Sequence, residues 1–394
     1  MLLTFPPLKK GDTGGFAFDF RCSYLRDTLG AAPVATRMRA RYAPSTLVGE
    51  TAMKHLLLAL LPFLFCGAQT AQAQTAPAAY YDNAGREDVL SGGARMIPIH
   101  TPVGDFKVWT KRVGNNPKIK LLLLHGGPGA THEYFEAFDS YLPAAGIEYY
   151  YYDQLGSAYS DQPDDPRLLD TARFVEEVEQ VRKALGLGKD NFYLLGHSWG
   201  GILATEYALK YQQNLKGLII SNMMSSIPAY NDYAVKTLEP QMDAAALKEI
   251  KRLEAEKKFD DPRYMELLMP HYEAHILRIP AAQWPDPVNR AFNKINKKVY
   301  VPMQGPSELG ASGILADWDR TADLAKVTVP TLVIGARYDT MDPAFMEMMS
   351  KRLPKGRYLY CPTGSHMAMY DDQKTYMNGL IDFLRATDQQ DRQP

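Results

Sequence analysis

A serine flanked by two glycines is the first feature of this sequence that could do chemistry. Ser198 lies between Gly196 and Gly200 in the pentapeptide Gly-His-Ser-Trp-Gly. An apolar run at 192–195 precedes it and a helical pattern at 201–211 follows it, which predicts a strand, a sharp turn and a helix. Such a turn presents the serine hydroxyl at its apex, and glycines avoid clashes with the neighbouring backbone. The pattern predicts a nucleophile; the alternative is a purely structural turn.

A serine hydroxyl becomes a good nucleophile only when a base takes its proton and a carboxylate orients that base. Asp339 follows a predicted buried strand, and His366 follows the next one. The order serine, acid, histidine is the one expected after such a turn, so Ser198, Asp339 and His366 are predicted to act together. Asp342 is a rival acid, but its place before Pro343 is typical of a helix N-cap.

Three other histidines are less suited by position to act as the base. His197 is next to the serine, but adjacent side chains on a sharp turn diverge, which favours a packing role. His271 and His275 lie in the segment 223–313, where the pattern of the chain differs from that around the predicted strands. Position therefore favours His366 as the base.

Two backbone N–H groups are needed to stabilise the negative oxygen that forms when a carbonyl is attacked. The N–H of Trp199, directly after the serine, is the expected first donor. The loop His-Gly-Gly-Pro-Gly at 125–129 follows a predicted central strand and is expected to supply the second. Gly127 is the preferred donor and Gly126 the second choice, because Pro128 has no N–H and glycines let the backbone approach a substrate.

Strand-like and helix-like segments alternate from about residue 105 and would place these residues at strand ends. The predicted strands lie at 118–127, 147–153, 191–196, 215–222, 329–339 and 357–367, and the predicted helices at 171–187, 201–211, 343–353 and 371–386. This alternation predicts an α/β fold with a mostly parallel central sheet and helices on both faces. The alternation stops at 223–313, which predicts a mainly helical cap between two core parts, 95–222 and 314–386.

The first 73 residues differ in pattern from the rest. Met53 precedes an apolar stretch at 56–65 and small residues ending at Ala73, which is typical of a secretory signal peptide. The apolar stretch is too short for a stable membrane-spanning helix; the alternative is a short buried helix. Residues 1–52 are then interpreted as a non-native or disordered extension and residues 53–73 as the signal. The protein would be periplasmic or secreted if synthesis starts at Met53, and cytoplasmic otherwise.

Composition argues against several classes of function. The 44 basic and 45 acidic side chains leave a formal net charge of −1, so no nucleic-acid partner is expected. Of the three cysteines, only Cys361 would remain after signal cleavage, which excludes an intramolecular disulfide and a zinc site built from several cysteines. Cys361 is expected to fill space in a strand. No spacing typical of metal ligands is present, and the oligomeric state stays open.

Several motifs together resemble the proline iminopeptidase family of α/β-hydrolases. They are LLLLHGGPG, YYDQLGSAYSD and GHSWGG, in that order along the chain. GILADWD, VPTLVIGARYD and GSHM are similar to that family's branch of tricorn-interacting aminopeptidases. The resemblance covers roughly residues 95–385 and implies an α/β-hydrolase fold, a serine peptidase activity and no metal or organic cofactor. Ala158, in the motif YYDQLGSAYSD, stands where relatives often have a glycine.

The resemblance also implies an aminopeptidase that releases N-terminal residues, proline among them, from short peptides with a free N-terminus. Such an enzyme must hold an ammonium group, which is costly to desolvate and is met by carboxylates. Members of the family use glutamates of the cap, and the candidates are Glu308, Glu266 and Glu273. Glu308 is preferred because it lies in a glycine-rich stretch where the cap rejoins the core; the alternative is that all three are surface charges. The Trp199 ring is expected to form a wall for an apolar side chain or a proline ring.

Two other functions stay open at this point. An esterase or lactonase could use the same scaffold, since a fold does not determine the substrate. A binding protein that has lost catalysis is the second alternative, and the intact order of Ser198, Asp339 and His366 argues against it. Epoxide- or haloalkane-type hydrolysis would need an aspartate at the place of the serine.

Overall fold

The computed structural model describes residues 78–390. The extension interpreted at 1–52 and the signal peptide interpreted at 53–73 lie outside these residues. Within 78–390, no helix combines the length and the apolar character that crossing a bilayer requires.

Eight strands form one sheet. They are β1 (Ala94–Thr101), β2 (Gly104–Val113), β3 (Lys120–Leu124), β4 (Glu148–Asp153), β5 (Phe192–His197), β6 (Gly217–Ser221), β7 (Thr331–Ala336) and β8 (Gly356–Cys361). Their order across the sheet is β1-β2-β4-β3-β5-β6-β7-β8. β2 pairs antiparallel with β1 and β4, and all the other neighbours are parallel. The predicted mostly parallel sheet is confirmed.

Helices cover both faces of this sheet, as predicted. They are α1 (Leu142–Ala145), α2 (Thr171–Ala184), α3 (Trp199–Tyr211), α4 (Ile227–Tyr233), α5 (Ala244–Ala255), α6 (Pro262–His275), α7 (Asp286–Asn293), α8 (Lys297–Met303), α9 (Pro343–Arg352), α10 (Ala368–Asp371) and α11 (Gln373–Gln390). Alternate residues of the buried strands serve two cores. Leu122 and Leu194 pack with α2, α3 and α9, whereas Leu121 and Leu195 pack with α11 and the 3₁₀ segment His132–Ser140. Burial on both faces explains why the central strands are continuous apolar runs.

The hairpin of β1 and β2 begins before the first predicted element and adds an antiparallel edge to the sheet. In β1, Ile97, Ile99 and Thr101 are buried and the residues between them are exposed. A period of two is the signal of a half-buried strand. Pro98 obscures that signal, because proline is tolerated in a sheet mainly on edge strands such as this one.

The segment between β6 and β7 holds helices α4 to α8 and, among the described residues, one isolated bridge pair, Ser226 with Asp319. Ion pairs tie it to the 3₁₀ segment after β3. Glu133 accepts from Arg290 at 2.5 Å and from Lys294 at 2.6 Å. The division of the chain into core parts 95–222 and 314–386 and a cap at 223–313 stays a prediction.

Candidate active site

Ser198 lies in the turn between β5 and α3 with an uncommon backbone conformation, φ 56° and ψ −128°. A side chain at Gly196 would overlap the carbonyl of Gly200, and one at Gly200 would overlap the carbonyl of Leu124. The two glycines are therefore required for the turn to close and to pack against β3. Holding a non-glycine residue in such a conformation costs about 1–3 kcal/mol and is typical of functional sites.

Asp339 and His366 lie in the loops after β7 and β8 and are joined by a hydrogen bond. His366 Nδ1 donates to Asp339 Oδ1 at 2.8 Å. The buried carboxylate also accepts from the Met341 N–H at 3.1 Å and from Asn222 Nδ2 at 2.7 Å. With Nδ1 bonded to the acid, Nε2 is the ring nitrogen left to act as a base. The rival Asp342 caps α9, where it accepts from the Ala344 N–H.

The surroundings of His366 strengthen it as a base. Burial lowers the pKa of its imidazole, but the charge and hydrogen bond of Asp339, together with the charge of Glu308, outweigh burial and raise the pKa above its usual value. A base with a higher pKa accepts the serine proton more readily, provided that it is neutral when substrate arrives.

Ser198 and His366 line one cavity of about 50 Å³. Asp339 and His366 are joined directly by a hydrogen bond. Within residues 78–390, Ser198 Oγ has no hydrogen-bond partner, so Ser198 shares the cavity with His366 but is not bonded to it. The contact between a nucleophile and its base often tightens only in the complex with substrate.

Hydrogen bonds on both sides of Gly126 hold the backbone that leads to the Gly127 N–H. The Gly126 N–H donates to Tyr134 Oη at 2.7 Å, and the Gly126 carbonyl accepts from His125 Nδ1 at 2.9 Å. A trans peptide places its C=O and N–H on opposite sides, so the Gly127 N–H points away from His125. Neither this N–H nor that of Trp199 donates to any residue that the structure describes. Gly126, the second choice, already uses its N–H.

The expectation that the Trp199 ring forms a wall of the substrate site is wrong. The ring is 2% exposed and packs edge-on against Phe174, with 5.4 Å between the centroids. Its Nε1 donates to Gln154 Oε1 at 2.9 Å. The ring of the residue after the serine therefore enters the core beneath the turn, and only its backbone is available to the cavity.

The segment between β6 and β7 supplies the other wall of the cavity, through Ile276, Ala291, Phe292, Ile295, Tyr300 and Glu308. Glu308 is the acidic side chain among the described residues of this lining, and its Oε1 accepts from the Tyr300 hydroxyl at 2.5 Å. Burial raises the pKa of Glu308, and the charge of His366 and the Tyr300 hydrogen bond offset part of this effect. An apolar wall with one carboxylate suits a substrate that carries a cationic group.

The other two glutamates do not line this cavity. Glu266 is exposed on α6. Glu273 Oε1 accepts from the Ala281 N–H at 2.6 Å and so bonds within its own segment. Of the three candidates, the structure brings Glu308 alone to the cavity that holds Ser198.

Asn222 and Gln154 support the site and are absent from the predicted set. Asn222, at φ 52°, donates from Nδ2 to Asp339 Oδ2 at 2.7 Å. The Gln154 N–H donates to His125 Nε2 at 3.1 Å, which leaves Nδ1 of that neutral ring as the donor to Gly126. Asn222 directly follows the buried strand β6, and Gln154 directly follows the buried strand β4. A polar residue directly after a buried strand is the signal in the sequence that could have identified both residues.

His197 does more than pack, because it lines the cavity and its ring bonds on both sides. Its Nδ1 lies 3.1 Å from Tyr134 Oη, and its Nε2 lies 2.8 Å from the backbone oxygen of His366. Tyr134, which also lines the cavity, lies in the 3₁₀ segment after β3. No spacing in the sequence links Tyr134 to His197 or to His366, so the contact between Tyr134 and His197 can be found only in the tertiary structure.

Metal ligands and the remaining cysteine are the other groups of the described chain that could do chemistry. Within 78–390, no three or more His, Cys, Asp and Glu side chains are arranged to hold a metal ion. Cys361 is fully buried in β8, and burial raises the pKa of its thiol, which keeps it protonated and unreactive.

A family model described as alpha/beta hydrolase fold matches residues 120–373, more than half of the chain. Two solved structures are similar at 28% sequence identity. VinJ superposes with a TM-score of 0.68 over 74% of this chain and 98% of its own. A proline iminopeptidase of Mycobacterium smegmatis superposes with a TM-score of 0.66 over 75% and 98%. The protein is an α/β-hydrolase.

Two curated relatives narrow this class. A proline iminopeptidase of Flavobacterium johnsoniae is 62% identical over 290 residues, which are 73% of this chain and 97% of the relative. A proline iminopeptidase of Elizabethkingia meningoseptica is 60% identical over 296 residues, or 74% and 98% of the two chains. The chain belongs to the proline iminopeptidase family, and the resemblance seen in the motifs is confirmed.

Proposed function

We propose that this protein is a serine aminopeptidase that removes N-terminal residues, proline among them, from short peptides with a free N-terminus. One observation carries the proposal: Ser198 and His366 line their cavity together with Glu308, whose carboxylate suits an ammonium group. The name shared by the two curated relatives supports the same activity.

Acylation begins when His366 Nε2 takes the Ser198 hydroxyl proton and Oγ attacks the first peptide carbonyl. Asp339 stabilises the imidazolium, and the N–H groups of Gly127 and Trp199 bind the oxyanion. His366 then protonates the leaving amine as the C–N bond breaks, and the shortened peptide departs. Water, deprotonated by the same imidazole, hydrolyses the ester and frees the N-terminal amino acid.

Glu308 holds the ammonium group of the first residue in this scheme. A carboxylate in a partly buried, apolar site binds a cation more strongly than one in water, because fewer water dipoles screen it. Burial raises the pKa of Glu308, and a substrate ammonium group favours its ionised form. An anchor for the ammonium group in the same cavity as the nucleophile favours cleavage after the first residue, which is what distinguishes an aminopeptidase from an endopeptidase.

The apolar wall of the cavity favours an apolar first side chain. Ile276, Ala291, Phe292 and Ile295 line a cavity of about 50 Å³. A proline ring or an alanine methyl group leaves no polar atom without a partner against this wall, and we expect these residues to be among those preferred.

A panel of aminoacyl arylamides, each with a free and an N-acetylated amine, tests the proposal. We expect the free prolyl and alanyl substrates to be hydrolysed, and their acetylated forms at least about 100-fold more slowly, because the ion pair is lost and an extra group must fit. Similar rates on free and acetylated substrates, with fast hydrolysis of simple esters, would instead favour an esterase.

Glu308→Gln is expected to lower kcat/KM on free prolyl arylamide about 30-fold, equivalent to about 2 kcal/mol, because a neutral amide replaces the partner of the ammonium group. Rates on the acetylated substrate should fall much less, since that substrate has no cation and loses only the effect of the Glu308 charge on the pKa of His366. Glu266→Gln, on the exposed side of α6, serves as the matched comparison and should leave both rates unchanged. Equal losses in the two variants, or on both substrates, would exclude Glu308 as the amine site.

We also propose that a product translated from Met53 is exported and begins near Gln74. The apolar stretch at 56–65 and the small residues before Gln74 support this proposal. Expression from Met53 with a C-terminal tag, followed by fractionation and N-terminal sequencing, should give a processed periplasmic or secreted protein. An unprocessed product in the cytoplasm would contradict it.

A further inference from the structure

A chain of three hydrogen bonds connects the loop after β3 with the loop after β8. It starts at the Gly126 N–H, which donates to Tyr134 Oη at 2.7 Å. Tyr134 Oη lies 3.1 Å from His197 Nδ1. His197 Nε2 then lies 2.8 Å from the backbone oxygen of His366. We call these four residues the relay; it joins the loop of one predicted oxyanion donor to the backbone of the predicted base.

The position of every proton in the relay follows from its two ends. A carbonyl oxygen only accepts, so Nε2 of His197 carries a proton. Burial lowers the pKa of His197 to about 3, so the ring is neutral and Nδ1 is bare. The Tyr134 hydroxyl must then donate to Nδ1, and its oxygen accepts from Gly126. Burial also raises the pKa of Tyr134, which keeps its hydroxyl protonated.

At one end, the relay restricts the backbone directly before the peptide that carries the Gly127 N–H, and His125 holds that peptide itself. Gly126 is bonded on both sides, its N–H to Tyr134 and its carbonyl to His125. Glycine has wide backbone freedom, and without these bonds the loop could turn its N–H groups away from the cavity. Tyr134 is itself held from behind, because its backbone oxygen accepts from the Tyr370 hydroxyl at 2.8 Å.

At the other end, the relay restricts the backbone of His366. Its carbonyl accepts from His197, and its N–H donates to the carbonyl of His275 at 2.9 Å. Asp339 holds the ring separately. The Asp339 bond sets the orientation of the imidazole, whereas the two backbone bonds set the position from which the imidazole extends.

We propose that Tyr134 and His197 are positioning residues that fix the Gly127 N–H and the His366 imidazole relative to each other. This inference rests on the proposed function, because the proposed function assigns Gly127 and His366 their roles in acyl transfer. Both groups act on one tetrahedral intermediate, the first on its oxygen and the second on the attacking and leaving atoms, so their separation matters. His197 does not act as a second base, since its one bare nitrogen already accepts from Tyr134.

Tyr134→Phe tests the inference, because it keeps the ring and removes the central hydroxyl. We expect kcat on prolyl arylamide to fall about 10- to 100-fold with KM within about twofold, since a shift of reacting groups by about 1 Å costs this much and the phenyl ring keeps the shape of the wall that Tyr134 contributes. The rate at which a fluorophosphonate labels Ser198 should fall by a similar factor. Tyr207→Phe is the matched control: Tyr207 is also buried and donates to Glu179 Oε2 in α2, away from the cavity.

The outcomes separate this inference from the proposed function. If the native enzyme cleaves no aminoacyl arylamide but is labelled by the fluorophosphonate, the proposed substrate is wrong and the labelling rates alone decide on the relay. Unchanged kcat and labelling in Tyr134→Phe, equal losses in Tyr207→Phe, or a change in KM alone would overturn the inference. Nitrogen-15 NMR of the unmodified protein gives a second test, which applies even if Tyr134→Phe does not fold. His197 should be the neutral Nε2–H form at all pH values above about 5, and a proton on Nδ1 would overturn the inference.

Discussion

Ser198→Ala is expected to lower kcat on prolyl arylamide by at least about 10⁴-fold, because removal of the nucleophile of a triad leaves only binding and oxyanion stabilisation. Folding should be unaffected. Alanine keeps the Cβ at the unusual backbone conformation, and the lost Oγ has no hydrogen-bond partner among the described residues, so the free energy of unfolding should change by less than about 0.5 kcal/mol. Steady-state kinetics and thermal unfolding measure the two effects.

Ser157→Ala is the matched control for this substitution. Ser157 has an unpaired Oγ like Ser198, but it is fully buried and does not line the cavity. We expect full activity from Ser157→Ala, and fluorophosphonate labelling of it but not of Ser198→Ala. Substantial turnover by Ser198→Ala would show that the reaction uses another nucleophile.

Asp339→Asn is expected to reduce kcat by about 10³- to 10⁴-fold, since an amide no longer favours the Nδ1–H form of His366 or stabilises the imidazolium. The pH dependence should change as well. The native base is active when neutral, so kcat/KM rises with pH through a pKa above the ordinary histidine value of about 6.5. Without the charge of Asp339, burial dominates and lowers the pKa of His366, so this rise should move to lower pH.

Asp342→Asn separates this effect from a general change in the loop after β7. Asp342 caps α9, and asparagine is an equally good cap, so kcat and the position of the acid limb should both stay as in the native enzyme. All variants are measured with the same substrate, so the ionisation of the substrate amine contributes equally to every pH profile. An acid limb that does not move in Asp339→Asn would contradict the assignment of this carboxylate as the partner of the base.

The parallel strands and the turn at Ser198 could be predicted because their causes are local. Strands buried on both faces require long apolar runs, such as the one around Leu122, and these runs are readable without any partner. The overlap that a side chain at Gly196 would cause arises within the same turn. Parallel strands also gather their carboxyl ends at one edge, so Asp339 and His366 could be placed near Ser198 from their order in the chain.

The hairpin of β1 and β2 shows where local reasoning fails. Its alternation is regular, with Ile97 and Ile99 buried, but a proline between them lowers the strand signal. The pairing of β1 with β2 and of β2 with β4 compensates for the proline, and that pairing is a property of the sheet. The hydrophobic pattern of the sequence therefore could not give the boundaries of β1.

The sequence by itself determined the class of fold, the kinds of residue available for chemistry and the order in which strand ends present them, because these depend on period, burial and turn geometry within short segments. Only the tertiary structure decided that Glu308 and not Glu266 lines the cavity, that the Trp199 ring enters the core, and that His197 bonds across to His366. These outcomes depend on the direction of a side chain relative to residues tens to hundreds of positions away. A rotation of one helix reverses that direction without changing any local preference.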